Sequence, residues 1–337
     1  MKQEWIPSAG KGVRTVSPRA ENRRSQYRVI YELLWSKNPR IYVKDIASIL
    51  HVDPRTASRI IIEAFDLGHV TKPQIRKRSY ANLKEYMYFV NCTRPLESFV
   101  KHTKDMNITF HAVMSGFSNL WIVSKDKIDT EHDSIAVEGV RSDYYATLAP
   151  QHSWAKSIKI MQEKVDAFNP DNYEHRGLIK THLNETVEWD SEFEQLYRYF
   201  KYDLRKALTP VMKEHLITTG KIYKYLETLN KCCTVYTRWF PEGASAYDPY
   251  LFMFKTDYED FVINLFSQLP TSPVFFKVSD MLFMYTQVEK TSVRGVGIDM
   301  TDINQLHIPI LVRDLLRKGI IQSEAHALTE YYWRKKL

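Results

Sequence analysis

Apolar side chains in the first eighty residues recur at intervals of three and four. Tyr27, Ile30, Tyr31, Leu33 and Leu34 mark one side of a helix between residues 25 and 36. Val43, Ile46, Ala47 and Leu50 mark a second helix, and Ala57, Ile61, Ala64 and Leu67 a third, with a short polar break at His51 to Asp53 between them. Asp53 suits the cap of the third helix, because its carboxylate can accept from the free amides of the next turn. Pro54 suits the first helical position, where no amide is needed. With Ala57, Ile61 and Ala64 turned inward, Arg55, Thr56, Ser58 and Arg59 face out. Gly68 ends the helix, and Lys72, Arg76, Lys77 and Arg78 follow with no acid among them. The pattern predicts a winged helix-turn-helix over residues 26–80. Arg55, Thr56, Ser58 and Arg59 would face a DNA major groove, and the four later cations its phosphates.

The period then shortens to two. Residues 85–91, 108–114 and 120–124 read as strands, with a short helix at 96–104 and a turn at 115–119. Strand, helix, strand, strand predicts an α+β layer of the ferredoxin-like kind over residues 81–150. A helical connector spans 151–190, centred on Trp154, Ile158, Met161 and Val165.

The order of elements then repeats. Phe193, Leu196, Tyr197 and Phe200 lead a second helix pair, marked by Val211, Met212 and Leu216 and then by Ile222, Leu226 and Leu229, with Thr219 as the cap. This predicts a second helix-turn-helix-like unit at 191–232, in which Lys221 and Lys224 are the candidate DNA contacts. A second α+β unit follows at 233–295. Residues 296–337 read as two helices broken near Gly319. The fold class expected is α+β, a winged helix-turn-helix followed by a ferredoxin-like layer, with the pair repeated at about 165 residues.

Composition narrows the picture less than pattern does. The 337 residues are long enough for two or more domains, and residues 1–25 carry six cations among Pro, Gly and Ser, which predicts a flexible basic arm. An excess of 47 Lys and Arg over 40 Asp and Glu gives +7 and favours an anionic partner. Only Cys92, Cys232 and Cys233 are present, without zinc-ligand spacing, which predicts a reducing cytoplasm and no disulfides. No apolar run is long enough to span a membrane. No catalytic or phosphate-loop motif stands out, so neither an enzyme, a cofactor nor a metal is expected.

Residues 43–70 and 108–124 together resemble the leucine-responsive regulatory (Lrp/AsnC) family of prokaryotic transcription regulators. In that family a turn with glycine and an aromatic joins two strands near the place where small effectors bind between subunits. The resemblance makes Gly116, Phe117, Ser118 and Asn119 the candidate effector turn, with Ser118 and Asn119 standing where an acid is common. The function expected is a sequence-specific DNA-binding transcription regulator, its partners double-stranded DNA, a small-molecule effector and a second copy of the chain. The alternative is a plasmid- or phage-type replication initiator with two winged-helix domains.

Overall fold

The computed structural model of the chain describes residues 18–36, 38–129, 134–290 and 304–334. It is α+β, with helices arranged around one large curled antiparallel sheet. Three helices lead, α1 (Pro18–Ser36), α2 (Val43–Leu50) and α3 (Pro54–Asp66), followed by a short strand β1 (Gln74–Lys77). The Asp53 carboxylate accepts from the Thr56 amide at 3.0 Å, and His51 makes the turn in the left-handed region at φ 53°. α1 begins at Pro18, earlier than the apolar pattern indicates, because Pro18 fits a first helical turn and no breaker follows it. Arg19, Arg23 and Arg24 of the expected flexible arm are therefore helical, and the rest of that arm up to residue 17 lies outside the described residues.

A second trio runs α6 (Ser191–Phe200), α7 (Leu208–His215) and α8 (Thr219–Cys232) into β7 (Cys233–Tyr236). Here Leu216 takes the left-handed turn at φ 55°, and the cap is Thr218 rather than Thr219, its side chain accepting from the Lys221 amide at 3.3 Å. β1 and β7 pair antiparallel, Gln74 opposite Tyr236 and Lys77 opposite Cys233. The strand expected to be a free wing is thus half of a two-stranded ribbon.

After each trio comes a layer of strands. The first holds β2 (Tyr86–Asn91), α4 (Pro95–Thr103), β3 (Ile108–Gly116), β4 (Leu120–Ser124) and β5 (Ser134–Val140). The second holds β8 (Tyr247–Lys255), α9 (Glu259–Phe266), β9 (Val274–Val278), β10 (Met281–Glu289), α10 (Asn304–Arg317) and β11 (Ser323–Arg334). In the sheet the first four strands lie β5-β2-β4-β3 and the second four β11-β8-β10-β9, the same relative order twice. β3 and β11 join the two sets, and β6 (Tyr145–Ala146) pairs with the far edge at β9. Arg141, just after β5, bridges to Val278 of β9, so the sheet curls almost onto itself. α5 (Trp154–Asp166) packs against α10 and α9 beneath the second set.

Alternation builds two apolar faces. Met87, Phe89, Trp121, Phe276 and Phe283 point inside the curl and form one core, where the Phe89 and Phe283 rings from the two halves stack at 4.6 Å. Tyr88, Val90, Leu120 and Ile122 point outward beneath α4. The two C-terminal helices expected from the sequence are one helix and one long strand. Gly319, at φ 69°, ends the helix, and β11 then supplies the seam between β3 and β8. Among the described residues no helix is long and apolar enough to cross a membrane.

The seam explains Gly116. Its φ is 153°, and a Cβ there would sit 2.2 Å from the His326 carbonyl oxygen and 2.5 Å from the Ala327 Cα, both backbone atoms that cannot swing away. Gly116→Ala is therefore expected to push β3 off β11 and cost about 1–3 kcal/mol, the usual range for overpacking. Urea unfolding checks this; an unchanged midpoint would show that the seam gives way freely.

Candidate functional site

Between the β1–β7 ribbon and the inner face of the curled sheet lies a cavity of about 400 Å³. The strand period places its walls. Trp121, Phe276 and Tyr285 are inward positions of β4, β9 and β10, and Arg76 and Tyr236 come from the ribbon. The end of α6 adds Lys201 and Tyr202. Flat rings therefore face one another across the space, with cations set among them.

Four buried polar atoms on these walls find no hydrogen-bond partner among the described residues: Arg238 Nη2, Trp121 Nε1, Thr329 Oγ1 and Gln287 Oε1. Buried polar groups are paired in nine cases of ten or more, and leaving one unpaired costs about 1–3 kcal/mol. All four lie on the walls of this one cavity. Arg238 is 8% exposed; its Nε donates to the Ser272 carbonyl at 3.3 Å, and its guanidinium lies 5.1 Å from the Phe240 ring centre and 5.2 Å from that of Tyr285. Arg76 lies between the Tyr202 and Tyr236 rings, at 5.1 and 5.6 Å, and donates to the Ile75 and Lys201 carbonyls.

At the α6 end the charges interlock. Arg141 has no solvent exposure; its Nη2 donates to Glu85 Oε2 at 2.6 Å and to the Lys77 carbonyl at 2.9 Å. Burial alone would push the Glu85 carboxyl up, but Arg141, Lys201 and Lys77 together reverse this and hold it at about 2. Lys77 pairs with Glu194 at 2.5 Å. Lys201 forms no ion pair within 4 Å among the described residues; its ammonium meets the rings of Tyr202 at 5.3 Å and Tyr197 at 5.7 Å. Burial, joined by repulsion from Arg76 and Lys77 and opposed by Glu85 and Glu194, brings Lys201 down to about 7.

The residues expected to bind DNA are scattered by the structure. Arg55 and Arg59 stay exposed on α3, with Thr56 and Ser58 half-buried beside them. The cations of the expected wing are taken up by acids or by the cavity wall: Lys72, itself exposed, pairs with Asp203 at 2.8 Å, Lys77 with Glu194, and Arg78 approaches Asp143 at 3.8 Å, while Arg76 enters the cavity wall. Lys221 pairs with Asp190 and Glu192, and Lys224 with Glu188 at 2.6 Å. In the candidate effector turn, Ser118 donates to the Val90 and Leu120 carbonyls and Asn119 bonds both backbone groups of Cys92. Gly116 and Phe117 meet the β11 backbone. Sequence reasoning missed Lys201, Arg238 and Arg141. The one local signal was Arg238, a cation inside an otherwise strand-like apolar run at 234–240.

No family model matches the chain, and no curated protein matches it. Among solved structures the chain is similar to the siroheme decarboxylase NirDL, at TM-score 0.46 and 10% identity over 94% of this chain and 93% of that one. It is also similar to the same enzyme in co-complex with an iron-uroporphyrin III analogue, at TM-score 0.47 and 9% identity over 93% of each chain. These findings correct the expected membership of the leucine-responsive regulatory family, the expected DNA-binding regulator and the expected absence of enzymatic activity. The matches that run nearly the full length are to an enzyme. The physical reason the wing misled is local: its cations are adjacent in sequence, but their acids arrive from distant segments.

Because Arg141 is fully buried, removing its partner strands a charge. Glu85→Ala is expected to cost about 3–5 kcal/mol, and Glu85→Leu combined with Arg141→Met distinctly less. Chemical denaturation of the three variants decides it; a double variant as unstable as the single one would show that the pair is not the source of the loss.

Proposed function

We propose that the cavity binds a flat molecule carrying several carboxylates and that Lys201 exchanges a proton with it. The observation that carries this reading is the set of four unpaired buried polar atoms on the wall, three of them donors. Ring faces of Tyr202, Tyr236, Tyr285 and Phe276 suit a planar ligand, and Arg76, Arg238 and Lys201 supply the charge that a carboxylate needs once it leaves water. A lysine near 7 can act as an acid at neutral pH. The reaction class that fits is loss of a carboxylate: the carbon–carbon bond breaks, carbon dioxide departs, and the electron pair left on carbon takes the Lys201 proton.

The same reading takes each half as a winged helix-turn-helix joined to a ferredoxin-like layer, the product of an internal duplication. Support comes from the repeated strand order and from the left-handed turns His51 and Leu216, 165 positions apart. In this arrangement the two wings close the mouth of the curled sheet, which is a use for the helical units that needs no nucleic acid.

Titration of the chain with iron-uroporphyrin III and with smaller aromatic di- and tricarboxylates, followed by tryptophan quenching, tests the binding. Arg238→Met and Arg76→Met are each expected to weaken it by about tenfold to a hundredfold, the worth of a hydrogen bond to a charged group. Affinity should be greatest below pH 7. A bound carboxylate favours the charged ammonium, so the free Lys201 loses its proton first and affinity falls as pH rises through about 7. Lys201→Met should flatten that profile and abolish carbon dioxide release from a labelled ligand. If no flat polycarboxylate binds, or both arginine variants bind as the wild type does, the reading is wrong.

A further inference from the structure

A smaller pocket of about 50 Å³ adjoins the cavity, and Glu85, Thr109, Lys201 and Tyr202 line both, which makes them the partition between the two. The charged groups facing the smaller pocket are Lys77, Lys84, Lys125, Arg198 and Lys201, set against Glu85 and Glu194. Both carboxylates are engaged: Arg141 holds Glu85, and Glu194 accepts from Lys77 at 2.5 Å and from Arg198 Nε at 2.9 Å. Lys84 is exposed and Lys125 half-buried, so positive charge runs from the surface to the partition. On another side the cavity reaches Tyr332, which is 59% exposed and stacks over Phe110 at 6.5 Å.

Resting on the ligand reading above, we infer that the pocket beneath Lys84 and Lys125 is the portal through which a polyanionic ligand reaches the cavity. A groove with an excess of one charge between low-dielectric walls focuses its field outward and raises the local concentration of the opposite charge. The portal therefore sets the rate of arrival, whereas Arg76 and Arg238, deeper in, set the lifetime of the complex. Lys201 stands at the join between portal and cavity.

Stopped-flow quenching of the full chain by iron-uroporphyrin III, at low and high salt, separates arrival from release. Lys84→Glu combined with Lys125→Glu changes surface or half-buried positions. It is expected to lower the association rate about tenfold or more, leave dissociation unchanged and flatten the salt dependence. Thr109→Trp, which narrows the partition, is expected to slow association and dissociation by similar factors. Tyr332→Ala, at the other border of the cavity, is expected to leave the association rate unchanged. If the wild type binds but the double charge reversal associates as fast, or if Tyr332→Ala is the variant that slows association, the portal is overturned and the ligand reading stands. If the wild type does not bind at all, both fall together.

Discussion

A guanidinium without solvent exposure ties the layers of this protein together. Arg141 follows β5, and its backbone bridges to Val278 on the opposite edge of the sheet. Its side chain bonds the carboxylate of Glu85, just before β2, and the last carbonyl of β1, while its plane lies 4.2 Å from the Tyr144 ring centre. One side chain thus fixes the sheet's closing corner, the start of its second strand and the ribbon above it. A charge this deep is tolerated when it is paired and hydrogen-bonded, and the geometry of those bonds leaves little freedom to the strands it touches. The cavity beside it inherits that rigidity: Glu85 forms its wall, and Lys77 and Lys201 feel the same field.

The helices were readable in the sequence because their apolar positions keep a clear period and their caps use ordinary chemistry, as Asp53 does. The strands of the inner core were readable for the same reason. β11 was not: Ala325, Leu328 and Tyr332 are spaced three and four apart and pass for a helix, while the alternation that places Ala327 and Thr329 in the buried seam is interrupted by a bulge after Thr329. Charge was the least readable feature. Lys72 and Lys77 look like a solvated basic run until Asp203 and Glu194 arrive from 131 and 117 positions away. The cavity had no local signature because its walls come from many separate segments, each contributing one or two residues.

The two halves share a strand order but differ in how they are covered. α9 buries Val262, Ile263, Leu265 and Phe266 beneath α5 and α10, and its Asp260 accepts from the amides of Gly177 and Leu178 at 2.9 Å. α4, its counterpart, has no fully buried residue. Between β10 and β11 the second half adds α10. The second half is therefore the more deeply covered at this layer, while the first contributes Glu85, Trp121 and the partition residue Thr109 to the cavity.

The position of β11 also carries a consequence for how the molecule comes into being. β3 is made early, yet the strand that covers its outer edge follows about 200 residues later, after every other strand of the sheet. During vectorial synthesis at about 5–20 residues per second, that edge stays open for some ten seconds or more, presenting a row of unsatisfied amides and carbonyls. The nascent first half is then a template for strand addition by any passing chain.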